Sequence, residues 1–209
     1  MDRLQQLVCQ LDGLVVLLAA SHEEVFATIK SHEEIWFPSS QDPSLPDTFD
    51  AYRYTLSNAA FLLGYAYFEA FLADIARAIY LARPELLPKD RNLTYKEVLN
   101  FDSKDAIVSH MASQVVRSAL YRSVEDIQEF FREKLHINWP DNPEIVVASR
   151  MRNCLMHNGG RVDERLAEVC SRDVGTEIRL MPDDVHGYGV EAREAAWSIW
   201  HEACEHHLK

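Results

Sequence analysis

Residues Tyr54–Ala82 read YTLSNAAFLLGYAYFEAFLADIARAIYLA, and this stretch decides the fold. Alanine and leucine are strong helix formers, no proline interrupts the run, and Pro84 follows it as a stop signal. In its middle the run is apolar nearly all round. Such a helix is either central in a bundle or shared with a second subunit. The pattern predicts a helix over Thr48–Ala82. Towards the N-terminus, Phe37–Asp50 carries Pro38, Pro43 and Pro46 and is a predicted loop. Before it, Leu4, Leu7, Leu11, Leu14, Val15, Leu18, Val25 and Ile29 form a one-sided helical stripe over residues 2–36. Gly13, or the capping spacing of Ser21 and Glu24, breaks that run.

Towards the C-terminus, Arg83–Asn92 is a loop, and Asn100–Leu120 and Val124–Lys134 read as two further helices. A helix from Pro143 to about His157 follows, with Asp141 or Asn142 as its cap and proline in its first turn. Asn158-Gly159-Gly160 ends it, since glycine adopts the left-handed conformation at little cost. Arg161–Cys170 is a short helix. Glu177–Met181, after Val174-Gly175-Thr176, alternates polar and apolar residues and suggests a short strand. Glu191–His207 is the last helix. The expected architecture is all-α: an antiparallel helical bundle with a short β-hairpin-like insertion near the C-terminus. A single domain spans residues 1–209, with an N-terminal helix and loop over 1–47 and a core over 48–209.

The chain has 209 residues and a formal net charge of −12, from 21 Lys+Arg against 33 Asp+Glu. Its length is enough to bury a core without staples, and the apolar content excludes a disordered chain. An acidic balance argues against coating nucleic acid by overall charge, but not against a focused basic pocket. Cys9, Cys154, Cys170 and Cys204 are scattered and read as reduced thiols of an intracellular protein. The run Leu14–Ala20 is too short for a membrane span, and the uncharged Tyr54–Phe68 also falls short of roughly 20 residues. The N-terminus lacks the order of a signal peptide. The expectation is a cytoplasmic protein with no membrane contact.

The stretch that carries chemistry is Val147–Val162, VASRMRNCLMHNGGRV. From Ile145 to Val162 the charged residues are Arg150, Arg152 and Arg161, a positive island in an acidic chain. Asn153 and His157 stand at i, i+4 and can touch. Arg152 lies about 140° around the helix from His157, but its long side chain can curl back. An arginine binds phosphate oxygens bidentately, and a histidine moves protons near neutral pH. Together they suit work on a phosphodiester. Residue types alone leave another reading open. Arg152 is then a surface residue, Asn153 polar filler, and His157 a partner of the helix dipole.

The segment Arg152-Asn153-Cys-Leu-Met-His157 resembles the R-N-x-x-x-H form of the HEPN superfamily signature. Asn158-Gly159-Gly160-Arg-Val-Asp163 resembles the H-N-G-G-x-x-D continuation of bacterial HEPN families. Leu62-Leu63-Gly64-Tyr-Ala-Tyr-Phe68-Glu69-Ala-Phe71-Leu72 resembles their first long core helix, and Gly175-Thr-Glu-Ile-Arg-Leu180 the small strand pair that often follows the motif. The resemblance covers roughly residues 50–205. It implies an α-helical bundle that dimerises, with two motif-bearing helices facing each other across a composite cleft. It also implies a metal-independent endoribonuclease, as in toxins, abortive-infection proteins and RNA-targeting effectors. Arg152 would then bind and polarise the scissile phosphate. His157 would be general acid or base while the ribose 2′-OH attacks, giving a 2′,3′-cyclic phosphate and a 5′-hydroxyl. Asn153 would orient His157 or the phosphate. Arg150, Arg161 and Asn158 would bind substrate, and Glu69 would hold Arg152 or pair with it structurally. RNA rather than DNA is the expected ligand, with an antitoxin or regulatory protein as a further partner and no cofactor or metal. The alternative is a HEPN-fold protein without nuclease activity that binds a nucleotide or a partner.

Cys154-x-x-His157 and Cys204-x-x-His207 have the types for a Cys2His2 zinc site, but about 50 residues separate the pairs. The simpler reading makes Cys154 a small buried side chain and the C-terminal histidines a solvated helix end. Trp36, Trp139, Trp197 and Trp200 read first as packing anchors and second as base-stacking platforms. No glycine-rich phosphate loop precedes a helix, and no G-x-S-x-G element is present.

Overall fold

The computed structural model of the chain describes residues 45–89 and 93–208. The apolar stripe over residues 2–36, with Trp36 and Cys9, lies outside the described residues. Among the described residues the protein is all-α, with seven α-helices: α1 (Leu45–Ala82), α2 (Tyr95–Val98), α3 (Lys104–Leu120), α4 (Val124–Leu135), α5 (Pro143–His157), α6 (Glu164–Ala167) and α7 (Pro182–His206). A single 3-10 turn, Pro84–Leu86, follows α1.

Local chemistry sets most of the boundaries. α1 begins at Leu45, earlier than the predicted Thr48, with Pro46 in the first turn. Proline is tolerated there because the first N–H groups of a helix have no intrahelical partner. α2, α3 and α4 are capped by Thr94, Ser103 and Ser123, whose hydroxyls accept from the backbone three residues on. Thr94 with Glu97, and Ser123 with Asp126, form full capping boxes. Asn142 caps α5, its oxygen accepting from Glu144 N at 3.0 Å and Ile145 N at 3.3 Å. α7 starts at Pro182, well before the predicted Glu191. Gly187 and Gly189 depress helix propensity by about 1 kcal/mol each, and this masked its first turns in the sequence. Proline at N1, Asp183 and Asp184 in the first turn, and the buried Val185 outweigh that cost.

The chain forms two compact units. One takes its described residues from 45–66 and Arg150–Glu191, the other from Tyr67–Ser149 and the C-terminal segment from Ala192. In the first unit, Phe61 packs on Tyr65 (6.3 Å between ring centroids) and edge-on to Tyr188 (5.4 Å). Met151, Val162, Leu166, Ile178 and Leu180 are buried in the same unit. In the second unit Trp139 is a hub. Phe68 and Phe131 meet it edge-on at 5.9 and 5.5 Å, in the geometry aromatic quadrupoles favour. Arg53–Ala82 is long and apolar enough to cross a membrane by length and composition. Its Phe68, Leu72, Ile75, Ile79 and Tyr80 are buried within the second unit.

The expected β-hairpin-like insertion is not formed. Residues 177–181 make one isolated antiparallel bridge, Arg161 to Glu177. Ile178 N donates to Gly160 O (2.8 Å), Val162 N to Thr176 O (2.9 Å) and Gly175 N to Val162 O (2.8 Å). On this segment Asn58 of α1 takes a second strand's place. Its amide nitrogen donates to Ile178 O (3.0 Å) and its amide oxygen accepts from Leu180 N (3.2 Å). With those groups satisfied by a side chain, and α7 starting at Pro182, the alternating pattern has no strand to pair with.

Candidate functional site

The expected site sits at the C-terminal end of α5, all of it but Glu69 in the first unit. Met151 and Cys154 face inward and are buried, at 1% and 0% exposure. That fixes the helix's rotation and leaves Asn153, Met156 and His157 exposed. Arg150, Asn153 and His157 follow an i, i+3, i+7 pattern and share a face. Arg152 departs on another side and returns: its Nη1 donates to Asn153 Oδ1 at 3.0 Å. This bond places the guanidinium beside Asn153, which shares a face with His157. Asn153's oxygen is used on Arg152 rather than on His157. Among the described residues the His157 ring makes no hydrogen bond, and the residue is exposed to solvent.

The loop after α5 is held by hydrogen bonds of its own. Gly159 and Gly160 both have positive φ (59° and 72°), and Cys154 O accepts from Asn158 N (3.0 Å) and Gly160 N (3.1 Å). Asn158 Nδ2 donates to Arg161 O at 2.8 Å, and Arg161 N donates to Asn158 O at 3.1 Å. Arg161 Nη1 donates to Gly175 O at 3.0 Å. Asn158 and Arg161, both expected to bind substrate, thus also brace this loop. Among the described residues no carboxylate pairs with Arg161, so its charge is not cancelled. Arg179 differs: its Nε and Nη2 donate to Glu177 Oε2 (2.9 and 2.8 Å), and it lies over the Tyr54 ring at 5.4 Å. Glu177 raises its pKa further.

Asp163 and Asn58 are the residues that sequence reasoning left without a role. Asp163 caps α6 through Leu166 N at 2.8 Å and lies against the Cys154 thiol. Burial pushes the Cys154 thiol up; a backbone hydrogen bond with Asp163 opposes that shift, and the Asp163 carboxylate adds to it. Among the described residues no three His, Cys, Asp or Glu side chains gather as a metal site. The signal for Asn58 was present: an amide inside an otherwise apolar helical run needs a partner. Glu69 is half-buried on the part of α1 that belongs to the second unit, whereas Arg150–His157 belong to the first.

No protein-family model, no curated protein and no solved structure matches this chain.

Proposed function

We propose that this protein is a metal-independent endoribonuclease of the HEPN type, a toxin or antiphage effector. One observation carries the reading: Asn153 holds the Arg152 guanidinium on the same exposed helix end that presents His157. The uncancelled Arg161 adds charge beside it. A phosphodiester seated there would have Arg152 on its non-bridging oxygens, neutralising the charge that grows as the phosphorus becomes pentacoordinate. The ribose 2′-oxygen would attack the phosphorus as its proton passes to a neutral imidazole. A protonated imidazole would give its proton to the departing 5′-oxygen. The nucleophile is internal to the substrate, so no step calls for a metal-bound water.

One histidine cannot be base and acid in the same instant. Two copies across a two-fold axis would supply both and would double the arginines facing the RNA. The exposed Leu56 and Leu63 on α1 are the kind of surface that supports such pairing. An acidic exterior around a basic centre would restrict binding to RNA that reaches the centre, and would suit a basic antitoxin.

The test is cleavage of end-labelled single-stranded RNA in EDTA by wild type, Arg152→Ala and His157→Ala. The proposal expects cleavage by wild type alone. A second reading, a HEPN-fold binder without nuclease activity, is favoured by the His157 ring having no hydrogen-bond partner among the described residues. Binding without cleavage by wild type would select it.

A further inference from the structure

The last part of α7, in the second unit, carries a feature that the nuclease reading does not use. Arg193, Trp197, His201 and Glu205 recur every four residues and are all exposed, forming one ridge along the helix. Trp197 is 50% exposed, whereas Trp139 is buried. The Trp197 ring meets the His201 ring edge-on with 4.6 Å between centroids, so the two side chains form one aromatic patch. Glu194, Ser198 and Glu202 flank the ridge on the same helix. Tryptophan is enriched among the residues that anchor protein contacts.

The order of the residues identifies the partner. The ridge reads Arg, Trp, His, Glu, and its reverse reads Glu, His, Trp, Arg. A second copy laid antiparallel, with the two-fold axis at the level of Ile199, sets Arg193 of each chain opposite Glu205 of the other. The same operation sets each Trp197 opposite a His201. Glu194 then falls opposite Cys204 and Ser198 opposite Trp200, so no two like charges are opposed. Sliding the pair by one turn removes the Arg–Glu match. We infer that the Arg193–Glu205 ridge of α7 is a self-association surface whose occupant is a second copy of this chain, antiparallel and registered by two reciprocal Arg193–Glu205 pairs. The packing is isologous, as a two-fold contact requires. Rim charges set its register while the Trp197–His201 patch supplies the buried area. This inference stands independently of the nuclease reading and uses none of its residues.

The test is the mass of the full chain by sedimentation equilibrium, for wild type, Trp197→Ala, Arg193→Glu, Glu205→Arg and the double reversal Arg193→Glu/Glu205→Arg. Circular dichroism confirms that each variant is folded. Each single reversal sets like charges together at both ends of the contact and is expected to weaken one association step by about tenfold or more. Trp197→Ala is expected to abolish that step, halving the mass. The double reversal recreates two opposite-charge pairs and is expected to return association to near the wild-type level. A monomeric wild type, or single variants with unchanged association, would overturn the inference, including the case in which another segment of the chain covers the ridge. Failure of the folded double variant to recover would overturn the antiparallel register. RNA cleavage by these variants reports separately on the nuclease reading.

Discussion

Replacing Asn58 by alanine removes one side chain and strands two backbone groups. In the native protein the amide donates to Ile178 O at 3.0 Å and accepts from Leu180 N at 3.2 Å. Ile178 is 1% exposed and Leu180 fully buried, so water does not readily take the place of the lost amide. A buried backbone group left without a partner costs about 1–3 kcal/mol. Two of them, in part-buried hydrogen bonds, give about 2–4 kcal/mol for Asn58→Ala. Asn58→Asp keeps an acceptor for Leu180 N but turns a second oxygen towards the Ile178 carbonyl, so it should recover only part of the loss. Urea denaturation followed by circular dichroism measures the change as a lower midpoint at unchanged slope. Hydrogen exchange should locate it: the amides of Leu180, Ile178 and Val162 should lose protection first, because the 175–178 segment also braces the loop after α5. A loss below about 0.5 kcal/mol, the range of an ordinary surface change, would refute the claim that this side chain substitutes for a strand.

Gly159→Ala and Gly160→Ala each place a Cβ on a left-handed backbone. The new carbon meets nothing at 159 and only Leu155 Cδ2, at 3.8 Å, at 160, so the cost is conformational alone, about 1–2 kcal/mol each by thermal denaturation. A larger loss would mean that the space around the turn has been misread. His207 supplies a pH dependence. Burial holds its imidazole below the ordinary value of 6.5, opposed by the nearby Leu135 backbone carbonyl, which favours the charged ring, with smaller lowering contributions from Arg83, His206 and His136. The unfolded chain therefore takes up the proton at higher pH than the native one. The contribution of neutral His207 is complete above pH 6.5 and is lost as the pH falls below it. Melting temperature should drop between about pH 7.5 and 5.5 in wild type and drop less in His207→Gln. Equal drops would assign the effect to other groups.

Much of this molecule was readable as sequence, for identifiable reasons. Helix starts written in local chemistry were legible: proline at position 143 beside Asn142, and the Gly159-Gly160 stop, bound α5 where the residues indicate. The start of α7 was not, because Gly187 and Gly189 argue locally against helix and only Val185 and the Tyr188–Phe61 contact, distant in sequence, decide the matter. The strand expected at 177–181 failed for the same physical reason in reverse. Its alternation was real, but a side chain 120 residues earlier satisfied the backbone groups that a strand would have used. At the site, the exposure of His157 and the approach of Arg152 to its face follow from helix spacing plus one long side chain. Spacing did not show that Asn153 would bond Arg152, or that Asn158 and Arg161 would brace the loop. Those bonds depend on rotamers and on the path of residues 173–176.

The measurement that tests the central claim most directly is the chemistry of the cut ends. Wild-type protein is incubated with a defined single-stranded RNA in EDTA, and the fragments are analysed by mass spectrometry. Attack by the ribose 2′-oxygen, assisted by Arg152 and His157, predicts a 2′,3′-cyclic phosphate and a 5′-hydroxyl, a single 2′-deoxy ribose blocking its own site, and no fragments with Arg152→Ala or His157→Ala. Ends carrying a 3′-hydroxyl and a 5′-phosphate, or cleavage that persists in either variant, would contradict it.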